Sequence, residues 1–145
     1  MQTKVRQLMI LIGGFFLFCL DQIFKYLSLN IFTSDHLAFK LFGWNPFINH
    51  GIAFSLPLPN IVTLIFTIPV VLIILWLLIK SFFYPIRLNI FIGLTLIFWG
   101  SISNLLDRII YKATIDYFLI ATGVINIADI LIVIGFLLLF IQKKK

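Results

Sequence analysis

The chain has 145 residues, of which 62% are hydrophobic, and a mean hydropathy of +1.16. Water-soluble domains use about 45–50% apolar residues, so an ordinary soluble fold is excluded and one membrane-embedded unit is expected. The formal net charge is +6, but most basic residues flank apolar runs, Lys4 and Arg6, Lys80 and Arg87, and Lys143 to Lys145, against Lys40, Arg108 and Lys112 in the outer loops. That placement marks membrane topology and leaves no basic patch for nucleic acid.

The first apolar run, about residues 8–29, is long enough to span, since about 20 residues suffice. Its basic start resembles a signal peptide. However, bulky Phe18 precedes Cys19 and no small-residue cleavage site follows, so a retained helix is expected. Cys19, the one cysteine, permits no internal disulfide. Asp21 and Lys25 lie at i, i+4, a spacing that predicts a buried ion pair orienting this helix.

Residues 30–60 form a long outer loop that is too apolar for a solvated segment. Turn chemistry at Gly43-Trp44-Asn45-Pro46 predicts a break between short strand-prone pieces, around 39–42 and 47–49. The aromatic residues suit a bilayer interface. In Asn49-His50-Gly51-Ile52-Ala53-Phe54, Gly51 fits either a plain turn or a close backbone approach.

A second run, about 61–79, carries Pro69, which membrane helices tolerate. The third, about 88–107, ends in polar residues that a lipid-facing helix should not carry, Ser101 through Arg108. On a helix, Asn104, Asp107 and Arg108 share one face. A second outer loop, 108–123, contains a short predicted strand at Thr114-Ile115-Asp116-Tyr117-Phe118. The fourth run, about 124–141, repeats the Asn-x-x-Asp spacing in Asn126 and Asp129. The expected architecture is an all-α integral membrane protein, a single domain over 1–145. It has four transmembrane helices and both termini in the cytoplasm.

All five acidic residues are Asp, and a membrane Asp costs about 2.5–3.5 kcal/mol at a helix centre, so retaining several implies a use. With that topology Asp21, Asp107 and Asp129 converge near the outer face. Two close carboxylates in low dielectric share a proton, the arrangement with which aspartic proteases activate water. There is no H-E-x-x-H and no G-x-S-x-G, and the only histidines are His36 and His50. The residues alone also fit a proton-coupled carrier that uses the same Asp residues, or a membrane scaffold.

Five stretches in order decide between these readings. They are Asp21-Gln22-Ile23-Phe24-Lys25, Asn49 through Phe54, Gly100 through Arg108, Ile115-Asp116-Tyr117-Phe118, and Asn126-Ile127-Ala128-Asp129. Together they resemble the signature blocks of bacterial lipoprotein signal peptidase (signal peptidase II) and cover nearly the whole chain. The resemblance implies an aspartic endopeptidase that cleaves diacylglyceryl-modified prolipoproteins before the lipidated cysteine, without a metal or other cofactor. It implies a location in the bacterial cytoplasmic membrane, with the site near the extracytoplasmic face. It maps the catalytic pair onto Asp107 and Asp129. Asn49, Gly51, Asn104, Arg108, Asn126, Asp21, Lys25 and Asp116 become binding or supporting residues. It also implies a small outer β-cradle with a membrane-lying helical piece, and Trp44, Phe47 and Phe54 as candidates to grip the substrate. Membrane lipid is the other expected partner. The chain departs from the family pattern at Trp99, Ser103 and Ile125. Ser103 is small enough for close packing, and Trp99 is expected to point away from tight contacts.

Overall fold

Among the described residues, four helices carry an antiparallel sheet at one end. The computed structural model describes residues 2–39, 41–51 and 58–141. Lys40, the motif residues Ile52, Ala53 and Phe54, and the Lys143–Lys145 tail lie outside the described residues. The order is α1 (Gln2–Asn30), β1 (His36–Phe39), β2 (Phe42–Asn49), α2 (Asn60–Ser81), α3 (Leu88–Ile110), β3 (Thr114–Ile120), β4 (Gly123–Ile125) and α4 (Ile127–Phe140).

Helices α1, α2 and α3 are long and apolar enough to cross a membrane. The most hydrophobic stretches of α1 and α2 are only 17% buried, whereas that of α3 is 44% buried, which makes α3 the hub of the bundle. Exposed Ile65, Phe66, Trp76 and Phe136 are the lipid-facing surface expected when apolar side chains have no water to avoid. Away from the sheet, Ile74, Leu78, Phe91, Leu94 and Ile97 form the apolar core.

The fourth run differs from expectation. Its first residues, Gly123 to Ile125, pair with β3, and the helix proper has 14 residues. Asn126 explains the switch. Its side chain accepts from the Asp129 N–H while the Asp129 carboxylate accepts from the Asn126 N–H, a capping box that sets where the helix starts. Helix α4 still reaches the far end of α3, where Asn89 Nδ2 donates to the carbonyls of Leu138 and Ile141.

The α3–α4 seam depends on missing side chains. A Cβ added to Gly100 would lie 2.6 Å from the Ala128 carbonyl oxygen, and one on Gly135 2.6 Å from that of Gly93. Backbone cannot yield as a side-chain tip can. Gly100→Val is therefore expected to lower stability in detergent by about 3 kcal/mol, the upper range for overpacking. Gly13→Ala, with nothing within 4 Å of the new Cβ, serves as the neutral control. Thermal unfolding of both variants checks this. Gly14 does similar service on α1, where its added Cβ would meet the Trp99 ring at 2.5 Å. Trp99 thus sits in the tight contact that it was expected to avoid, among Phe15, Phe18 and Phe98.

The sheet has the order β1-β2-β3-β4, all antiparallel, and is the small β element expected beside the helices. The predicted break at Gly43–Pro46 is instead the body of β2, which pairs back on β1 from Phe42 opposite Phe39. Pro46 lacks an N–H for the ladder, and the β2–β3 register shifts between Trp44 and Phe47 to accommodate it. The described part of residues 30–59 holds strands and no further helix. Strand β3, predicted at 114–118, is central, and Thr114 to Tyr117 are all buried.

Candidate active site

A cavity of about 910 Å³ opens between α2 and α4 beneath the sheet. Its polar wall holds Asn49, Asn104, Arg108, Asp116 and Asp129, and its apolar wall Phe66, Val70, Leu105, Ile132 and Val133.

Strand β3 delivers Asp116. Because side chains alternate along a strand, Thr114 and Asp116 face the cavity while Ile115 and Tyr117 face the helices. Asn49, on the neighbouring strand, donates from Nδ2 to Asp116 Oδ2 at 3.0 Å, and Asn126 donates to Asp116 Oδ1 at 2.6 Å. Burial, with the nearby charge of Asp129 adding to it, pushes the Asp116 carboxyl up to about 7. Asp129 comes from the first turn of α4, where a helix N-terminus favours an anion. It accepts from Asn104 Nδ2 at 2.8 Å. Asn126 is fully buried and touches both carboxylate residues, capping Asp129 with Oδ1 and holding Asp116 with Nδ2.

Asp107 is elsewhere. It is 1% exposed, is absent from the cavity wall, and faces α1 and β3. Lys25 Nζ lies 2.7 Å from Asp107 Oδ2, the Ile115 N–H donates to the same oxygen, and Gln22 Nε2 donates to Oδ1. The helical spacing that grouped Asn104, Asp107 and Arg108 holds, but the face is wide enough to straddle two environments.

The Asp21–Lys25 pair forms as expected, at 2.7 Å, and does more than orient α1. Asp21 also accepts from Ser103 Oγ, the Tyr117 hydroxyl and the Ala128 N–H, joining α1 to α3, β3 and α4. Burial and the Asp21 charge push the Tyr117 phenol up, so it stays a donor to that carboxylate. Asn49, expected to hold substrate, already spends its amide on Asp116 and on the Gly51 N–H. That second bond closes a side-chain turn and settles Gly51 as a turn residue. Arg108 Nη2 donates to the Gly51 carbonyl at 2.6 Å, while Nη1 has no partner among the described residues. Trp44 stacks on Tyr117 outside the cavity, and Phe47 lines it. Gln22, Ser103 and Tyr117 went unnoticed as site residues, although each lies inside or beside a motif block. The two carboxylate oxygens of a buried Asp21 call for donors such as Ser103 and Tyr117, while Gln22 donates to Ser103 and Asp107.

The signal peptidase (SPase) II family pattern matches residues 14–144. A lipoprotein signal peptidase of Clostridium novyi (strain NT) is 33% identical over 132 residues, covering 84% of this chain and 88% of that protein. One of Lactococcus lactis subsp. lactis (strain IL1403) is 50% identical over 54 residues, 35% of this chain and 36% of its own length. Two solved structures of a bacterial membrane enzyme share the fold at 20% identity, with TM-scores of 0.75 and 0.77. Both cover 97% of this chain, which in turn covers 93% and 94% of theirs. A family pattern spanning nearly every helix and strand, with a relative of similar length, leads to one conclusion: the chain belongs to the signal peptidase (SPase) II family.

Proposed function

We propose that this protein is an aspartic endopeptidase that removes signal peptides from diacylglyceryl-modified prolipoproteins, with Asp116 and Asp129 as its reacting pair. The observation that carries the pair is Asn126, which holds both residues at one wall of the cavity. Asp107, the partner implied by the resemblance, is replaced by Asp116 in this reading. An acid that must touch water and a scissile carbonyl needs a place on the cavity wall, which Asp116 has, whereas Asp107 lies off that wall against Lys25.

Asp116, with its carboxyl pushed up to about 7, is protonated in about half of the molecules at pH 7 and in most at lower pH, and in that form it donates toward the scissile carbonyl oxygen. Ionised Asp129 takes a proton from the attacking water, whose oxygen bonds to the carbonyl carbon. Collapse of the tetrahedral intermediate breaks the C–N bond: one of its two hydroxyls returns a proton to Asp116 as the carbonyl re-forms, and the proton held by Asp129 passes to the leaving amine. The family membership gives the proton-coupled carrier no support. The decisive experiment incubates purified protein with a diacylglyceryl-modified precursor peptide. Cleavage immediately before the modified cysteine is the expected result, and an intact peptide overturns the reading.

The site belongs, in this reading, at the extracytoplasmic face of the bacterial cytoplasmic membrane. The basic N-terminus and the Lys80–Arg87 connection lie in the cytoplasm. Helix α4 serves as the fourth crossing, since its end lies level with Asn89 at the start of α3. In a Cys19→Ala background, Thr122→Cys is expected to react with an impermeant thiol reagent added outside intact cells, and exposed Phe83→Cys is not. The opposite pattern would invert the site.

A further inference from the structure

Lys25 has more partners than an ion pair requires. The residue is 2% exposed, and its ammonium meets Asp21 and Asp107 at 2.7 Å each, Ser103 Oγ at 3.1 Å and Asn104 Oδ1 at 3.0 Å. Two carboxylates more than balance one cation, so neutrality does not explain the approach to Asn104. We propose that Lys25 is a positioning residue for the acid pair, which through Asn104 fixes the direction in which an N–H is offered to Asp129. This rests on Asp129 being a member of the reacting pair.

The geometry follows from donor counting. An ammonium has donors only, so it accepts nothing and admits only the carbonyl oxygen of the Asn104 amide. The amide is planar, and its NH₂ is thereby turned to the opposite side, where Asp129 Oδ1 lies at 2.8 Å. Asn126 Nδ2 also reaches Asn104 Oδ1, at 3.2 Å, but shares its two hydrogens with Asp116 and the Ile115 carbonyl. The Lys25 ammonium likewise divides three hydrogens among four acceptors, but its bond to Asn104 is shorter, at 3.0 Å, and charge-assisted, which makes it the stronger hold. Without it the amide can turn, and an oxygen facing Asp129 would repel the carboxylate it should steady.

The test separates positioning from charge balance. Lys25→Met alone leaves two buried carboxylates unpaired and endangers folding, so it is made on Asp21→Asn, with Asp21→Asn as the reference. The added Lys25→Met is expected to lower kcat on lipidated precursor by about 10²-fold, as a small misplacement does. KM is expected to stay within about threefold, because the contact does not touch substrate. Asn104→Ala is expected to lower kcat similarly. The two combined are expected to fall no more than about threefold below the worse one, since residues acting through each other are not additive. If kcat in the double variant matches that of Asp21→Asn, Lys25 is only a counter-ion and the proposal is wrong. Losses that multiply, a loss confined to KM, or an active Asn104→Ala overturn it equally. Should the double variant not fold, Lys25→Met on Asp107→Asn removes the other carboxylate, with the same outcomes read against Asp107→Asn. Asp129→Asn is run beside them. Normal turnover there removes the reacting-pair reading itself, a failure distinct from an inactive Asp129→Asn beside an indifferent Lys25.

Discussion

Asp116→Asn and Asp129→Asn are each expected to lose about 10²–10⁴-fold or more in kcat on lipidated precursor, the range that a general acid or base supplies. Both should stay folded, because Asn keeps the shape and still meets Asn126. Asp107→Asn gives the contrasting result: lowered stability, because Lys25 loses a partner 2.7 Å away, with turnover reduced far less. A folded but inactive Asp107→Asn beside an active Asp116→Asn would restore Asp107 to the pair. The pH profile supplies a second check. The Asp116 carboxyl, raised to about 7, is protonated below that pH and ionised above it, so kcat/KM should decline as pH rises through about 7. The sign for stability is the same. Between the ordinary carboxylate range and about 7 the folded protein holds a proton that the unfolded chain has released, so stability falls as pH rises across that window. A thermal-unfolding series across this pH range should show the slope in the wild type and a shallower one in Asp116→Asn.

Removing the lipid from the substrate is expected to have a comparable effect. A peptide of the same sequence without acyl chains should lose about 10³-fold or more in kcat/KM, for two reasons that add. It forfeits membrane partitioning of about 0.8 kcal/mol per buried CH₂. It also forfeits the remote binding energy that would bring its scissile carbonyl to Asp116 and Asp129. The cavity supports this directly. Its apolar wall, Phe66, Val70, Ile132 and Val133, continues onto lipid-facing surface, with Phe66 70% and Val133 58% exposed. Acyl chains can therefore stay in the bilayer while the peptide backbone meets the polar wall. Steady-state kinetics of both peptides in one detergent would decide the point, and similar kcat/KM values would remove the anchor from the mechanism.

What the sequence determined by itself is local. Apolar length set the spans, because a helix must satisfy its own backbone in lipid. The i, i+4 spacing set the Asp21–Lys25 pair, and Asn126-x-x-Asp129 carried its own capping box. The motif blocks were enough to name the family. What tertiary structure decided is which aspartates meet. Asp107 and Asp116 are nine residues apart in sequence, and each is polar, buried and near Asn126 or Asn104. Only the pairing of β3 with β2, which sets Asp116 opposite Phe47 and lets the side chains of Asn49 and Asp116, 67 residues apart, hydrogen-bond, turns Asp116 to the cavity. Only the packing of α1 on α3 brings Lys25 against Asp107 and hides it. Helical periodicity places a side chain on a face, but the neighbour covering that face comes from distant chain and leaves no trace in local spacing.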